Sequence, residues 1–397
     1  MLSILKKITP DKNEKKTVSD ISKHFISKLS LKLKEGKIIL GGSVAKDTWI
    51  RGDADIDVFA IFNKKYSKDD ISKILEKRLK EAKFSIKKIH GSRDYFQIKQ
   101  GEYNFEVVPI LDIKKAKDAK NITDVSPLHV KWVKSKGKKI LDEIRLTKAF
   151  CKANKLYGAE SYIKGFSGYT LEILTVYYGS FEKLIENSKK WKEGLVIDIE
   201  KHYDGLNESK KSPLIVIDPV QNNRNTAAAL SKEKFERFIE KAKEFSRNPN
   251  ESFFEMKSID DEKLKGALVL GVKILKGKKD IIGSKLLKAL DFIADRLKDE
   301  GYEVENYDWE WDKNIKFWYF IKENELNEKY KHFGPPIKEE GHLKVFKRKY
   351  KNYKLLRDDG RVYVELKRKY KDVFSFVRDL LKHKYLKDKV KEIKLLS

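Results

Sequence analysis

Asp55 and Asp57 stand two positions apart in DADIDVFAIF, a run that otherwise reads as a buried strand. Side chains at i and i+2 of a strand share a face, so the two carboxylates lie side by side. Two carboxylates that close raise each other's pKa unless positive charge lies between them. A hard divalent cation such as Mg2+ suits the place, because it takes oxygen ligands and often shares them with substrate phosphates. Upstream, Gly41, Gly42 and Ser43 follow the apolar run Ile38, Ile39, Leu40. Glycines at a strand end let backbone N–H groups come close to a phosphate chain. Ser43 adds a hydroxyl, and with the N–H groups around it is expected to hold the β and γ phosphates. The competing reading is a tight turn before an edge strand with solvated aspartates. The parts occur together and in order, which favours phosphate and metal.

Phosphoryl transfer at such sites commonly uses two metal ions and three carboxylates. One ion activates the attacking hydroxyl and the other neutralises the triphosphate. A third acid is therefore expected on a neighbouring strand. YNFEVVPI supplies Glu106, between Phe105 and Val107. Glu102 competes, but its QGEY context reads as a solvated turn; the bland reading of Glu106 is an edge-strand glutamate facing water. Asp55, Asp57 and Glu106 are thus the expected catalytic and metal-holding set. Arg51 lies close in sequence and is either a phosphate-neutralising cation or a surface arginine.

The surrounding elements follow from periodicity. Residues 11–34 read as a helix with Ile21, Phe25, Leu29 and Leu33 on one face. The glycine turn follows, then a helix through DTWI, then the carboxylate strand. KDDISKILEKRLKEA is an amphipathic helix, and FSIKKIHG, DYFQIKQG and YNFEVVPIL are strands separated by glycine turns. This first part is mixed α/β. From about residue 128 to 250 the pattern is mainly helical, with a strand ending at Pro219 and a small-residue helix beginning near Thr226. SRNPNES is a candidate boundary. Beyond it, GALVLGVKIL, SKLLKALDFIADRLKDEG, KFWYFIK and a helix from Val373 to Leu381 suggest a small α+β, RNA-binding-like module with a very basic stretch from His332 to Arg368.

The chain has 397 residues, with 88 Lys+Arg against 61 Asp+Glu and a formal net charge of +27. That length allows roughly two to four domains. The charge points to a polyanion, either nucleic acid or an anionic membrane surface. No apolar run reaches the roughly 18 residues of a membrane span, and the N-terminal stretch lacks a signal peptide's features. A membrane role is therefore disfavoured and the cytoplasm is the expected compartment. A single cysteine, Cys151, excludes an intramolecular disulfide and argues against a cysteine zinc site; it reads as a core residue.

These motifs are similar to those of the archaeal-type (class I) CCA-adding tRNA nucleotidyltransferases, within the polymerase-β-like nucleotidyltransferase superfamily. Gly42-Ser43 with Asp55-Ile56-Asp57 carries the superfamily signature. SPLHVKW (126–132), KANKLYGAESYIKGFSGYTLEIL (152–174), DPVQNNRNTAAALS (218–231) and HFGPP carry the closer resemblance. It implies an α+β multidomain fold: a palm-like mixed-sheet head (1–127), a helical neck that reads the nucleotide base (128–250), and a tRNA-binding α+β body with a basic tail (251–397). It implies Mg2+-dependent, template-independent addition of C, C and A to tRNA from CTP and ATP. A second copy of the chain is a further candidate partner. By resemblance His129 meets the triphosphate, Lys152 reaches phosphate as a point charge, and either Ser161 or Tyr162 takes the place of a triphosphate-contacting tyrosine. Arg224 contacts the incoming base; its guanidinium fork can address acceptors on cytosine or adenine, while the alternative is a helix-start arginine paired with Asp218. The family's third carboxylate is usually aspartate, and here it is Glu106. The rivals are another RNA nucleotidyltransferase, such as a poly(A) or oligoadenylate polymerase, and an RNA-binding protein with a dead head.

Overall fold

A computed structural model of the chain describes residues 2–256, 262–311 and 314–397. The chain divides into two compact units, Met1–Lys257 and Ser258–Ser397.

The first unit opens with α1 (Leu2–Ile8) and α2 (Lys12–Ser30). The Asp11 carboxylate caps α2 by accepting the Glu14 N–H, and Val18, Phe25 and Leu29 form its buried face. There follow β1 (Gly36–Leu40), α3 (Gly42–Lys46), β2 (Asp55–Phe62), α4 (Ile71–Glu81), β3 (Lys87–Ile89), β4 (Tyr95–Gln100) and β5 (Tyr103–Leu111). The sheet order is β1-β2-β5-β4-β3. β2 and β5 run parallel and the other pairs antiparallel, so the sheet is mixed. Alternation along β2 sends Ile56, Val58, Ala60 and Phe62 into one core with Phe25 and Leu29 of α2 and Leu75 and Leu79 of α4. Asp55 and Asp57 are thereby left on the opposite face. The helix expected through DTWI is not formed. α3 ends just before it, at Lys46, its C-cap Asp47 has a left-handed φ of 53°, and Thr48 and Trp49 are buried.

The rest of the unit comprises α5 (Ser126–Lys136), α6 (Leu141–Ala153), α7 (Gly168–Tyr178), α8 (Phe181–Ser188), β6 (Leu195–Ile197), β7 (Leu214–Asp218), β8 (Gln221–Asn225) and α9 (Lys232–Arg247). An aromatic core of Phe150, Phe166, Phe181, Phe238 and Phe245 holds these helices together. Cys151 lies in that core, and burial pushes its thiol up. The helix expected near Thr226 is absent. Arg224 sits instead on β8, and α9 starts at Lys232 with Ser231 as its cap. Asn225 accounts for the difference: its Oδ1 accepts the N–H groups of Val216 and Ala227, both at 2.9 Å. Such side-chain bonds compete with helical backbone pairing.

The second unit contains β9 (Leu268–Lys273), α10 (Lys279–Glu300), β10 (Val304–Trp311), β11 (Ile315–Ile321), β12 (Lys329–Pro336), α11 (Glu340–Lys349), β13 (Leu356–Asp358), β14 (Arg361–Lys367), α12 (Val373–Leu380), α13 (Lys384–Lys387) and β15 (Glu392–Leu395). Its four-stranded sheet, β10-β11-β9-β15, packs Leu270, Phe317 and Tyr319 against Leu286, Leu290 and Ile293 of α10 and Val377 of α12. A second sheet, β12-β14-β13, carries HFGPP on β12 and packs Val362 and Val364 against Phe346 of α11.

Candidate active site

Parallel register places Asp57 directly beside Glu106 and Asp55 beside Asn104. β5 is an interior strand, so Glu106 is not an edge residue. Its Oε1 accepts a hydrogen bond from Gln97 Nε2 on β4 at 2.8 Å, which fixes the carboxylate's orientation. The Gly41 N–H donates to the Asp57 carbonyl at 2.7 Å and ties the glycine turn to β2. Gly42, with φ of 57°, lies so close that a Cβ there would stand 1.6 Å from Asp57 Oδ2. Ser43 follows on the first turn of α3. Burial pushes the Asp57 carboxyl up to about 7; the charges of Glu106 and Asp55 add to this and Lys46 opposes it.

Among the described residues, no group of three or more His, Cys, Asp or Glu side chains is placed so that it could hold a metal ion by itself. The donor set is an adjacent pair of acids with a third on the same strand, all oxygen, held where negative charge is disfavoured. That set fits a hard divalent ion that completes its shell with substrate oxygens and water.

The cation that acts on Asp57 is Lys46, one turn beyond Ser43. Its Nζ pairs with Glu172 of α7 at 2.6 Å. Thr48 Oγ1 donates to the same carboxylate at 2.6 Å. Lys148 of α6 donates to Glu172 at 2.7 Å and to Thr48 Oγ1 at 2.9 Å. Burial lowers the Lys148 ammonium to about 8; Glu172 opposes the shift, and the neighbouring charges of Lys46 and Lys152 add to it. Burial would raise Glu172, but Lys148 and Lys46 outweigh it and hold the carboxyl at about 2. Tyr157 and Lys148 both border Gly168: a Cβ there would meet Tyr157 Oη at 2.6 Å and Lys148 Cε at 3.8 Å.

A second cluster forms around Asp218, at the end of β7 and fully buried. His129 of α5 donates from Nε2 to Asp218 Oδ2 at 2.9 Å, and Arg224 Nη1 donates to the same oxygen at 2.5 Å. Tyr169 Oη donates to Oδ1 at 3.2 Å. Burial would raise this carboxyl, but the His129 hydrogen bond and the His129 and Arg224 charges hold it below the usual range. The His129 ring stacks on Tyr169 at 4.2 Å, and Lys46 Nζ lies 5.8 Å from the Tyr169 ring. One chain of contacts therefore runs from Lys46 beside the carboxylates to Arg224.

The structure thus brings together Gly42, Ser43, Asp57 and Glu106, with Asp55 on the same strand, and brings His129 to Arg224 through Asp218. Other expected residues are engaged elsewhere. Arg51 pairs with Asp11 at 3.3 Å on the surface. Lys152 pairs with Asp53 and lies 4.6 Å from the Tyr157 ring centre. Ser161 and Tyr162 lie in the turn between α6 and α7, Ser161 exposed and Tyr162 half-buried. Lys46, Thr48, Lys148, Tyr157, Tyr169, Glu172 and Asp218 were not singled out by sequence as site residues. One signal was present: in GYTLEILTVYY, Glu172 is the sole charged residue of an otherwise apolar helix.

Three family models match the chain: the nucleotidyltransferase domain over residues 22–129, the second domain of tRNA nucleotidyltransferase over 142–255, and the C-terminal domain of CCA-adding enzyme over 267–393. A CCA-adding enzyme of Nanoarchaeum equitans is 37% identical over 334 residues, covering 82% of this chain and 82% of that protein. One from Methanothermobacter thermautotrophicus is 30% identical over 404 residues, covering 96% of this chain and 87% of that protein. The chain belongs to the CCA-adding enzyme family. Like its family, it is a nucleotidyltransferase, and nucleotidyltransferases work with divalent metal ions. A third CCA-adding enzyme, from Saccharolobus shibatae, is 31% identical over 93% of this chain and 88% of its own. The fold extends further: a Cid1 poly(U) polymerase matches 64% of this chain and 97% of its own with a TM-score of 0.52 at 11% identity. Among the described residues, no helix is long and apolar enough to cross a membrane.

Proposed function

We propose that this CCA-adding enzyme adds C, C and A to the 3′ end of tRNA from CTP and ATP, without a nucleic-acid template, releasing pyrophosphate. The observation that carries the reading is the alignment of Asp57 with Glu106 beneath the Gly42 turn, in a chain of this family. Asp55, Asp57 and Glu106 would hold Mg2+, with Gln97 fixing Glu106. Bound there, the ion supplies positive charge to the attacking 3′ hydroxyl and to the triphosphate.

Gly42 and Ser43 offer N–H groups and a hydroxyl to the phosphates. Lys46, which acts on Asp57 from the helix that opens with Gly42 and Ser43, and Lys148, which shares Glu172 with it, are the phosphate cations in preference to Arg51 and Lys152. Tyr157, which borders Gly168 together with Lys148, takes the tyrosine role in preference to Ser161 or Tyr162. His129 lies between the phosphate end and the base end. Arg224, oriented by Asp218, reads the Watson–Crick edge. Cytosine and adenine each present a ring-nitrogen acceptor beside an amino group, whereas uracil and guanine present an N–H beside a carbonyl. A guanidinium donates to the first pattern and is repelled by the N–H of the second. The cytoplasm and a homodimer belong to the same reading; light scattering of the purified chain tests the homodimer.

The decisive experiment offers tRNA lacking its terminal CCA to the enzyme with CTP, with ATP and with both. Two C residues with CTP alone and CCA with both are expected. Homopolymer tails of A or U would overturn the reading in favour of another RNA nucleotidyltransferase.

A further inference from the structure

Glu172 lies on α7, remote in sequence from every carboxylate of the reaction, yet both of its oxygens are occupied. Oε2 takes Lys46 at 2.6 Å; Oε1 takes Thr48 at 2.6 Å and Lys148 at 2.7 Å. The side chains are almost completely enclosed, at 0% exposure for Glu172, 4% for Lys148 and 9% for Lys46. Two ammonium groups thus share one carboxylate. A buried charge without its counter-charge is costly; Lys46 also acts on Asp57, and once a metal ion takes up that carboxylate the lysine pair carries one surplus positive charge that an anion would satisfy. Lys46 also belongs to α3, which begins with Gly42 and Ser43. The carboxylate therefore joins the phosphate-facing turn to α6 and α7.

We infer that Glu172 is a positioning residue for the nucleotide: it anchors Lys46 and Lys148 in the geometry that receives the triphosphate and keeps Lys148 protonated. This rests on the reading that those two lysines meet phosphate. A wholly structural glutamate would neutralise its surroundings; Glu172 leaves them positive. Lys148 faces Glu172, Lys46, Lys152, Thr48 and Tyr157, and Lys152 is in turn paired with Asp53. Among these groups Glu172 is the one whose charge supports the ammonium form.

The test is the pH profile of kcat/KM for CTP on a tRNA lacking CCA, at saturating Mg2+, because kcat/KM reports ionisations of the free enzyme. The wild-type value is expected to fall as Lys148 loses its proton near pH 8. In Glu172→Gln the shape is kept and the charge removed, so the fall should move at least about one pH unit lower and cost about fivefold or more at pH 8, carried by KM more than by kcat. Glu172→Asp restores the charge and should return the limb toward its wild-type position. An unmoved limb in Glu172→Gln, even with a lowered Tm, makes Glu172 a structural residue and overturns the inference. Should Glu172→Gln not fold, Lys148→Arg serves, since arginine stays protonated: the alkaline fall disappears if the inference holds and persists if it does not. The underlying phosphate reading fails separately, if Lys46→Ala and Lys148→Ala leave the KM for CTP unchanged.

Discussion

At the scale of single residues, the site is organised by opposing charges held out of water. Asp55→Ala or Asp57→Ala should lower CCA addition by at least about a thousandfold with tRNA binding largely kept, because in the proposed reading these acids would hold the metal that carries transition-state charge; near-normal turnover in either variant would contradict that role. The Asp57 carboxyl is raised from 3.8 to about 7. A group raised on folding binds its proton more tightly in the folded chain, so its stabilisation is complete below pH 3.8 and is lost as pH rises through about 7. A cation bound there reverses the loss. Mg2+ should therefore raise the Tm more at pH 8 than at pH 5.5, and Asp57→Asn should level the two increments. Equal increments in the unaltered protein would place the ion elsewhere. Arg224→Ala should reduce kcat/KM for CTP and ATP while narrowing their preference over UTP and GTP, with Mg2+ dependence unchanged. A uniform loss over the four nucleotides would show that the Arg224–Asp218 pair serves structure and not base reading.

At the scale of elements, the decisive object is the β1–α3 turn against β2. Gly42 combines a left-handed φ of 57° with a Cβ direction that ends 1.6 Å from Asp57 Oδ2. Gly42→Ala should destabilise the fold by about 1–3 kcal/mol and, by displacing the carboxylate, suppress nucleotide addition more than tRNA binding. Thermal melts and primer extension on the same sample separate the two effects, and wild-type extension would show that the turn has slack. The parallel register of β2 and β5 matters as much, since a slip of one residue would exchange Glu106 for a core-facing neighbour. Strand alternation made the shared face of Asp55 and Asp57 legible in the sequence. The extent of α3 was not legible, because its end depends on Asp47 adopting φ of 53° and on Thr48 and Trp49 being drawn into the core.

At the scale of the whole molecule, a net charge of +27 meets a polyanionic substrate. tRNA affinity should fall steeply with salt as phosphate-bound counterions are released. Each unit has its own hydrophobic core. A chain ending at residue 256 should therefore keep nucleotide binding and lose most tRNA affinity. Filter binding across a salt series, with both proteins, tests this; equal affinity for the two would move the RNA-holding surface into the first unit.

The sequence by itself determined the carboxylate strand, the glycine turn, the third acid on a neighbouring strand and the polyanionic partner. Each of these depends on spacing within a few residues or on total charge, and both survive in one dimension. Only the tertiary structure decided which cations gather behind the carboxylate turn. Arg51 and Lys152 are near it in sequence or motif, yet Asp11 and Asp53 engage them. Lys46 and Lys148 meet at Glu172 across separations of 126 and 24 residues. A buried charge is stable only beside its partner, and where that partner lies is set by how α3, α6 and α7 pack, which no local pattern encodes.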